Sequence, residues 1–145
     1  MQFDIRLINR HEMPTQTLLI CEDDIKHQRE LMARAEKLFP PQGKIQVALV
    51  PSSIMAARII SEGFTKHVKC IILDHDMPYG NATNLIQWMN ESGVKIPVVT
   101  ASGIPENNKH MKRLCDSLGI ECHEYDKFRV IDGEADGAIL GYFEE

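Results

Sequence analysis

Four places along the chain carry residues that could do chemistry together. Glu22, Asp23 and Asp24 follow the apolar run TLLIC; Asp74, His75 and Asp76 follow VKCIIL; Thr100, Ala101 and Ser102 close IPVVT; Lys127 lies two residues beyond IECHEY. Acids gathered from separate places repel one another unless a divalent cation sits among them, and all-oxygen donors of this kind suit Mg2+. A carboxylate beside such a cation is a competent nucleophile for a phosphoryl group. An ammonium and a hydroxyl nearby can take up the charge that develops on the transferred oxygens. Phosphoryl chemistry is therefore expected if the fold brings these places to one edge.

The elements that must do this positioning are readable from apolar spacing. Five runs of strand length, at residues 17–21, 45–50, 68–73, 96–100 and 120–125, alternate with amphipathic stretches. After Asp23 or Asp24 as cap, Ile25, Leu31, Met32, Ala35, Leu38 and Phe39 recur at threes and fours until Pro40 and Pro41 end a first helix. Ser52 or Ser53 caps a second helix that closes near Gly63, and Thr83 or Asn84 begins a third that closes at Gly93. A fourth runs from Pro105 to Leu118 with Met111, Leu114, Cys115 and Leu118 on one face, and Gly119 ends it. Continuous apolar strands separated by such helices predict an open α/β domain with a parallel sheet covered on both faces. In that architecture chemistry gathers beyond the carboxyl ends of the strands, where all the residues named above fall.

Composition excludes most other classes. At 145 residues the chain has room for one compact domain, with 1–15 read as an N-terminal extension, 16–145 as the domain, and no separate output module. Lys plus Arg number 16 against 21 Asp plus Glu, so nothing favours direct nucleic-acid binding. No apolar stretch approaches the ~18 residues of a membrane span, and the start MQFDIR lacks the apolar run of a secretory leader, so a cytoplasmic location is expected. Cys21, Cys70, Cys115 and Cys122 include no C-x-x-C pair, and reduced thiols inside apolar runs serve as small hydrophobes. Cys115, Cys122 and His123 are read as packing residues rather than a zinc site, and Trp88 and Met89 as core of the third helix.

Taken in order, LLICEDD, IILDHDMP, IPVVTAS and a lysine after the fifth strand resemble the receiver domain of two-component response regulators, over about residues 16–128. The resemblance implies a flavodoxin-like, doubly wound sheet of five parallel strands in the order 2-1-3-4-5. It implies that Asp74 is the phosphoacceptor, that Glu22 and Asp23 hold Mg2+ with Asp74 and the backbone carbonyl of Asp76, that Thr100 is the switch hydroxyl, and that Lys127 binds the phosphoryl group. Asp76, Ser102 and Tyr125 fall at positions that tune phosphate lifetime or relay the switch. The implied donor is a histidine kinase or a histidine phosphotransfer protein. The implied output is binding of a downstream protein, or a homodimer.

Several residues depart from the pattern. Phe128 follows Lys127 where the family has proline, Ala82 stands at a customary glycine, and Glu124 occupies the aromatic position, with Tyr125 one residue later. The tail carries Gly133, Gly137 and Gly141 where the family has a fifth helix, which predicts a short one. Phe3, Ile5 and Leu7 alternate in FDIRLINR as in an added edge strand or a dimer contact. Two other functions fit parts of the sequence. One is a pseudo-receiver that keeps the fold as an interaction module and never takes phosphate. The other is a phosphatase resembling the haloacid dehalogenases, through Asp74-x-Asp76, Thr100 and Lys127, which would need its metal acids later in the chain, at Asp132, Glu134 or Asp136.

Overall fold

The computed structural model describes residues 4–5, 16–62, 67–77 and 80–143. Strands and helices alternate: β1 (Asp4–Ile5), β2 (Gln16–Cys21), α1 (Ile25–Leu38), β3 (Ile45–Val50), α2 (Ser53–Glu62), β4 (Val68–Leu73), α3 (Ala82–Glu91), β5 (Val98–Thr100), α4 (Pro105–Ser117), β6 (Cys122–His123), α5 (Lys127–Ile131) and α6 (Asp136–Leu140). The sheet runs β1-β3-β2-β4-β5-β6. β2 to β6 are mutually parallel and, taken as the five core strands, follow the order 2-1-3-4-5. β1 adds an antiparallel edge, pairing Asp4 with Leu49 and Ile5 with Ala48, so this part of the N-terminal extension is an edge strand. Phe3 and Leu7 lie outside the described residues.

Strand alternation divides the core into two layers. Leu19, Cys21, Ala48, Val50, Ile71, Leu73 and Val98 face one side, where Met55 and Ile59 of α2, Leu85, Ile86 and Met89 of α3, and Met111 and Cys115 of α4 cover them. Leu18, Ile20, Val47, Leu49, Cys70, Ile72 and Val99 face the other, against Leu31 and Ala35 of α1, Val130 of α5 and Ile139 of α6. All four cysteines are buried thiols, and Trp88 is partly buried against the first layer. Among the described residues no helix is long and apolar enough to cross a membrane.

Caps fix the helix starts. Asp24 accepts from the His27 N–H at 3.0 Å, the Ser52 hydroxyl accepts from the Met55 N–H at 3.2 Å, and Pro105 opens α4. α3 starts earlier than expected: its cap is Asn81, not Thr83 or Asn84, and Asn84 is the returning half of a capping box. Gly63, the expected end of α2, lies outside the described residues. Two strands are shorter than their apolar runs. β5 begins at Val98 because Pro97 has no N–H to give the ladder. β6 keeps only Cys122–His123, since the Tyr125 backbone bonds a side chain instead. The tail forms two short helices that part at Gly133, whose φ is +94°.

Candidate functional site

Each strand of the sheet centre ends at the same edge, and the register delivers its next residues there. The Glu22 N–H donates to the Val50 carbonyl at 3.0 Å, the Asp74 N–H to the Cys21 carbonyl at 3.0 Å, and the Ala101 N–H to the Leu73 carbonyl at 2.9 Å. Glu22 is fully buried and Asp74 is 6% exposed, while Asp23 sits half-buried at the rim. Ligand oxygens of Glu22, Asp23 and Asp74 all lie within 4.8 Å of one another, the only such acid, histidine or cysteine cluster among the described residues. The later acids Asp132, Glu134 and Asp136 therefore do not join Asp74 there; Asp136 instead pairs with Arg34 at 2.9 Å.

Lys127 reaches this cluster from the first turn of α5. Its N–H is held by the Ser102 carbonyl at 3.0 Å, and Asp126 caps the helix by accepting from the Arg129 N–H at 3.1 Å. The buried ammonium stands 2.7 Å from Glu22 Oε1 and 3.6 Å from Asp74 Oδ1. Glu22 Oε2 accepts from the Asp24 N–H at 3.1 Å, which fixes the carboxylate. Burial and then the Glu22 charge push the Asp74 carboxyl up to about 7, against the pull of Lys127. Burial also raises Asp23, with Glu22 adding to it. Negative charge is thus in excess in the pocket, and oxygen donors this close and this short of cations fit a hard divalent ion.

Thr100 and Tyr125 meet through the backbone. The buried Thr100 hydroxyl donates to the Tyr125 carbonyl and accepts from the Tyr125 N–H, both at 2.8 Å. The Tyr125 ring packs in the layer of α1, α5 and α6, and Glu124 is exposed. Ser102 is buried with its groups engaged: the hydroxyl accepts from the Ile104 N–H at 3.0 Å, and Asn108 bonds both its N–H and its carbonyl. Asp76 is exposed, with its carboxylate against His75 Nδ1 at 2.8 Å and accepting from Asn107 at 3.2 Å. His75 therefore faces Asp76 and the edge of the His110 ring.

Three further residues belong to the site's frame without having stood out in the sequence. Gln28 donates to the Glu22 carbonyl at 2.7 Å, Asn108 locks the Ser102 turn, and His27 Nδ1 stands 3.2 Å from the Lys127 ammonium. Gln28 and His27 lie on the first turns of α1, close along the chain to the acid pair. Spacing alone could have marked them; Asn108 had no comparable signal.

No family model and no curated protein matches the sequence. Solved structures do match its shape. The phosphorylated cyanobacterial phytochrome response regulator RcpA superposes with a TM-score of 0.66 at 15% identity, covering 89% of this chain and 97% of that one. A two-component response regulator from Legionella pneumophila gives 0.63 at 19% identity, covering 91% and 100%. The Mn(2+)-bound form of response regulator Rcp1 gives 0.62 at 14% identity, covering 83% and 91%. At such identities the likeness is one of fold, and the chain has the flavodoxin-like fold of response-regulator receiver domains.

Proposed function

We propose that the chain, through residues 16–145, works as a phosphate-accepting receiver in a cytoplasmic phosphorelay. One observation carries this reading: three acids from two strand ends share a pocket with a buried lysine that spans Glu22 and Asp74. Asp74 is the nucleophile. Its carboxylate oxygen forms a bond to phosphorus as the phosphorus–nitrogen bond of a donor phosphohistidine breaks, and the imidazole leaves with the electron pair. Mg2+ held by Glu22, Asp23, Asp74 and the Asp76 carbonyl would supply charge neutralisation for the incoming phosphoryl oxygens. Lys127 is already desolvated beside Asp74, so its ammonium can follow the new charge with little reorganisation. Asp76 and Ser102, by their places two residues after Asp74 and Thr100, would set access of water to the acyl phosphate. The donor would be a histidine kinase or a histidine phosphotransfer protein, and the output a protein contact or a homodimer.

A second reading draws on Thr100. Its hydroxyl has both a donor and an acceptor partner in Tyr125, so a phosphoryl group would have to compete for it. That favours the interaction module that never takes phosphate. The two readings part in intact-mass spectrometry after incubation with Mg2+ and acetyl phosphate. The receiver reading expects one added phosphate on the wild type and none on Asp74→Asn. No added mass on the wild type, together with no Mg2+ binding by calorimetry, selects the interaction module. Label retained by Asp74→Asn moves the acceptor to another residue.

A further inference from the structure

Three groups surround the Lys127 ammonium, and one of them is not an acid. Glu22 Oε1 lies at 2.7 Å, His27 Nδ1 at 3.2 Å and Asp74 Oδ1 at 3.6 Å. An ammonium offers three N–H donors and no acceptor, so a ring nitrogen within hydrogen-bond distance of it must present its lone pair. The competing assignment has Nδ1 donate to Asp24, but Asp24 Oδ1 stands 3.6 Å away, beyond a hydrogen bond, and already accepts from the His27 backbone N–H at 3.0 Å. The Phe128 ring meets the imidazole in an edge-to-face contact, with ring centroids 5.9 Å apart. Phe128 occupies the family's proline position, and this contact gives it a use there.

We propose that His27 is a positioning residue for Lys127, whose neutral Nδ1 orients the ammonium that serves Asp74. The imidazole accepts one N–H and so sets the directions of the other two, while Glu22 Oε1, which makes no hydrogen bond, draws the ammonium as a charge. One of those two is then left facing Asp74 Oδ1, too far away to be satisfied by it and free for an arriving phosphoryl oxygen. Without the imidazole nothing sets the rotation of the ammonium about its Cε–Nζ bond, since the charge of Glu22 fixes no N–H direction. The inference rests on the receiver reading, because the N–H facing Asp74 matters to chemistry only if Asp74 accepts a phosphoryl group.

The test uses acetyl phosphate with saturating Mg2+, where an Asp74 oxygen–phosphorus bond forms and acetate leaves with the electron pair of the bond that breaks. His27→Leu and His27→Ala are expected to slow labelling about fivefold, the worth of one orienting hydrogen bond. His27→Gln, which keeps an acceptor, should recover most of that loss. In a Lys127→Met background His27→Leu should add no further slowing, since it acts through the lysine. A separate measurement needs no phosphate: the nitrogen-15 signal of the Lys127 ammonium in Mg2+-free protein should shift in His27→Leu and return towards wild type in His27→Gln. Labelling of His27→Leu at the wild-type rate, full additivity with Lys127→Met, or an unmoved ammonium signal each overturns the proposal. A wild type that takes no label overturns the receiver reading, and the ammonium signal then still decides whether His27 holds Lys127.

Discussion

Burial at Glu22, Asp74 and Lys127 makes single substitutions in the pocket expensive or profitable according to the charge they leave behind. Lys127→Met keeps the volume of the side chain and leaves Glu22, fully buried, without its cation at 2.7 Å. Breaking one side of such a pair costs about 3 to 5 kcal/mol. Urea unfolding at pH 8 without divalent ions should show that loss, and Glu22→Gln in the same chain should recover most of it. Asp74 behaves in the opposite sense. Its carboxyl rises from the ordinary range to about 7, so the folded state holds the proton more tightly than the unfolded chain. The resulting penalty is absent below about pH 4, grows as the pH climbs towards 7, and is complete above it. In EDTA, Asp74→Asn should therefore be more stable than wild type at pH 8 by at most about 4 kcal/mol, with the difference vanishing near pH 4. A constant difference across that range in thermal melts would show that ionisation of Asp74 is not its source.

The glycines of the tail separate at the level of the elements. Gly133 joins α5 to α6 with φ at +94°, and a Cβ there would meet Arg34 Cζ at 2.8 Å. That guanidinium is tied to Asp136 at 2.9 Å, which fastens α6 to α1. Gly133→Ala should destabilise by about 1 to 2 kcal/mol from the left-handed backbone alone. Gly137 lies inside α6 with open space where a Cβ would go. Gly137→Ala should stabilise by about 0.5 to 1 kcal/mol, the helix preference of alanine over glycine. Denaturation midpoints of the two variants should move in opposite directions. The sequence placed both glycines in a weak last helix and could not rank them, because backbone φ and the space beside a Cα are set by what packs there.

The two core layers lie on opposite faces of the sheet that carries the site. Met89 is fully buried in the layer formed by α2, α3 and α4, on the side of the sheet opposite α1 and α5. Met89→Ala should cost about 2 to 5 kcal/mol through lost burial and the cavity left. Mg2+ affinity measured well below the new melting temperature should be unchanged, because the acids are carried by strand ends rather than by α3. What the sequence determined by itself was the set of parallel strands, the helices between them, and the four polar clusters at the strand ends. Apolar period and cap chemistry are local signals, and a parallel sheet sends every strand end to one edge. The strand lengths at β5 and β6 were less legible, since a missing N–H at Pro97 and the claim of Thr100 on the Tyr125 backbone decide where pairing stops. Only the tertiary structure decided that Lys127 pairs more closely with Glu22 than with Asp74, and that His27 is its third neighbour. Those partners stand about a hundred residues apart or on different strands, and which of several chemically suitable groups meet is fixed by where the two layers of packing leave the strand ends and the first turns of α1 and α5.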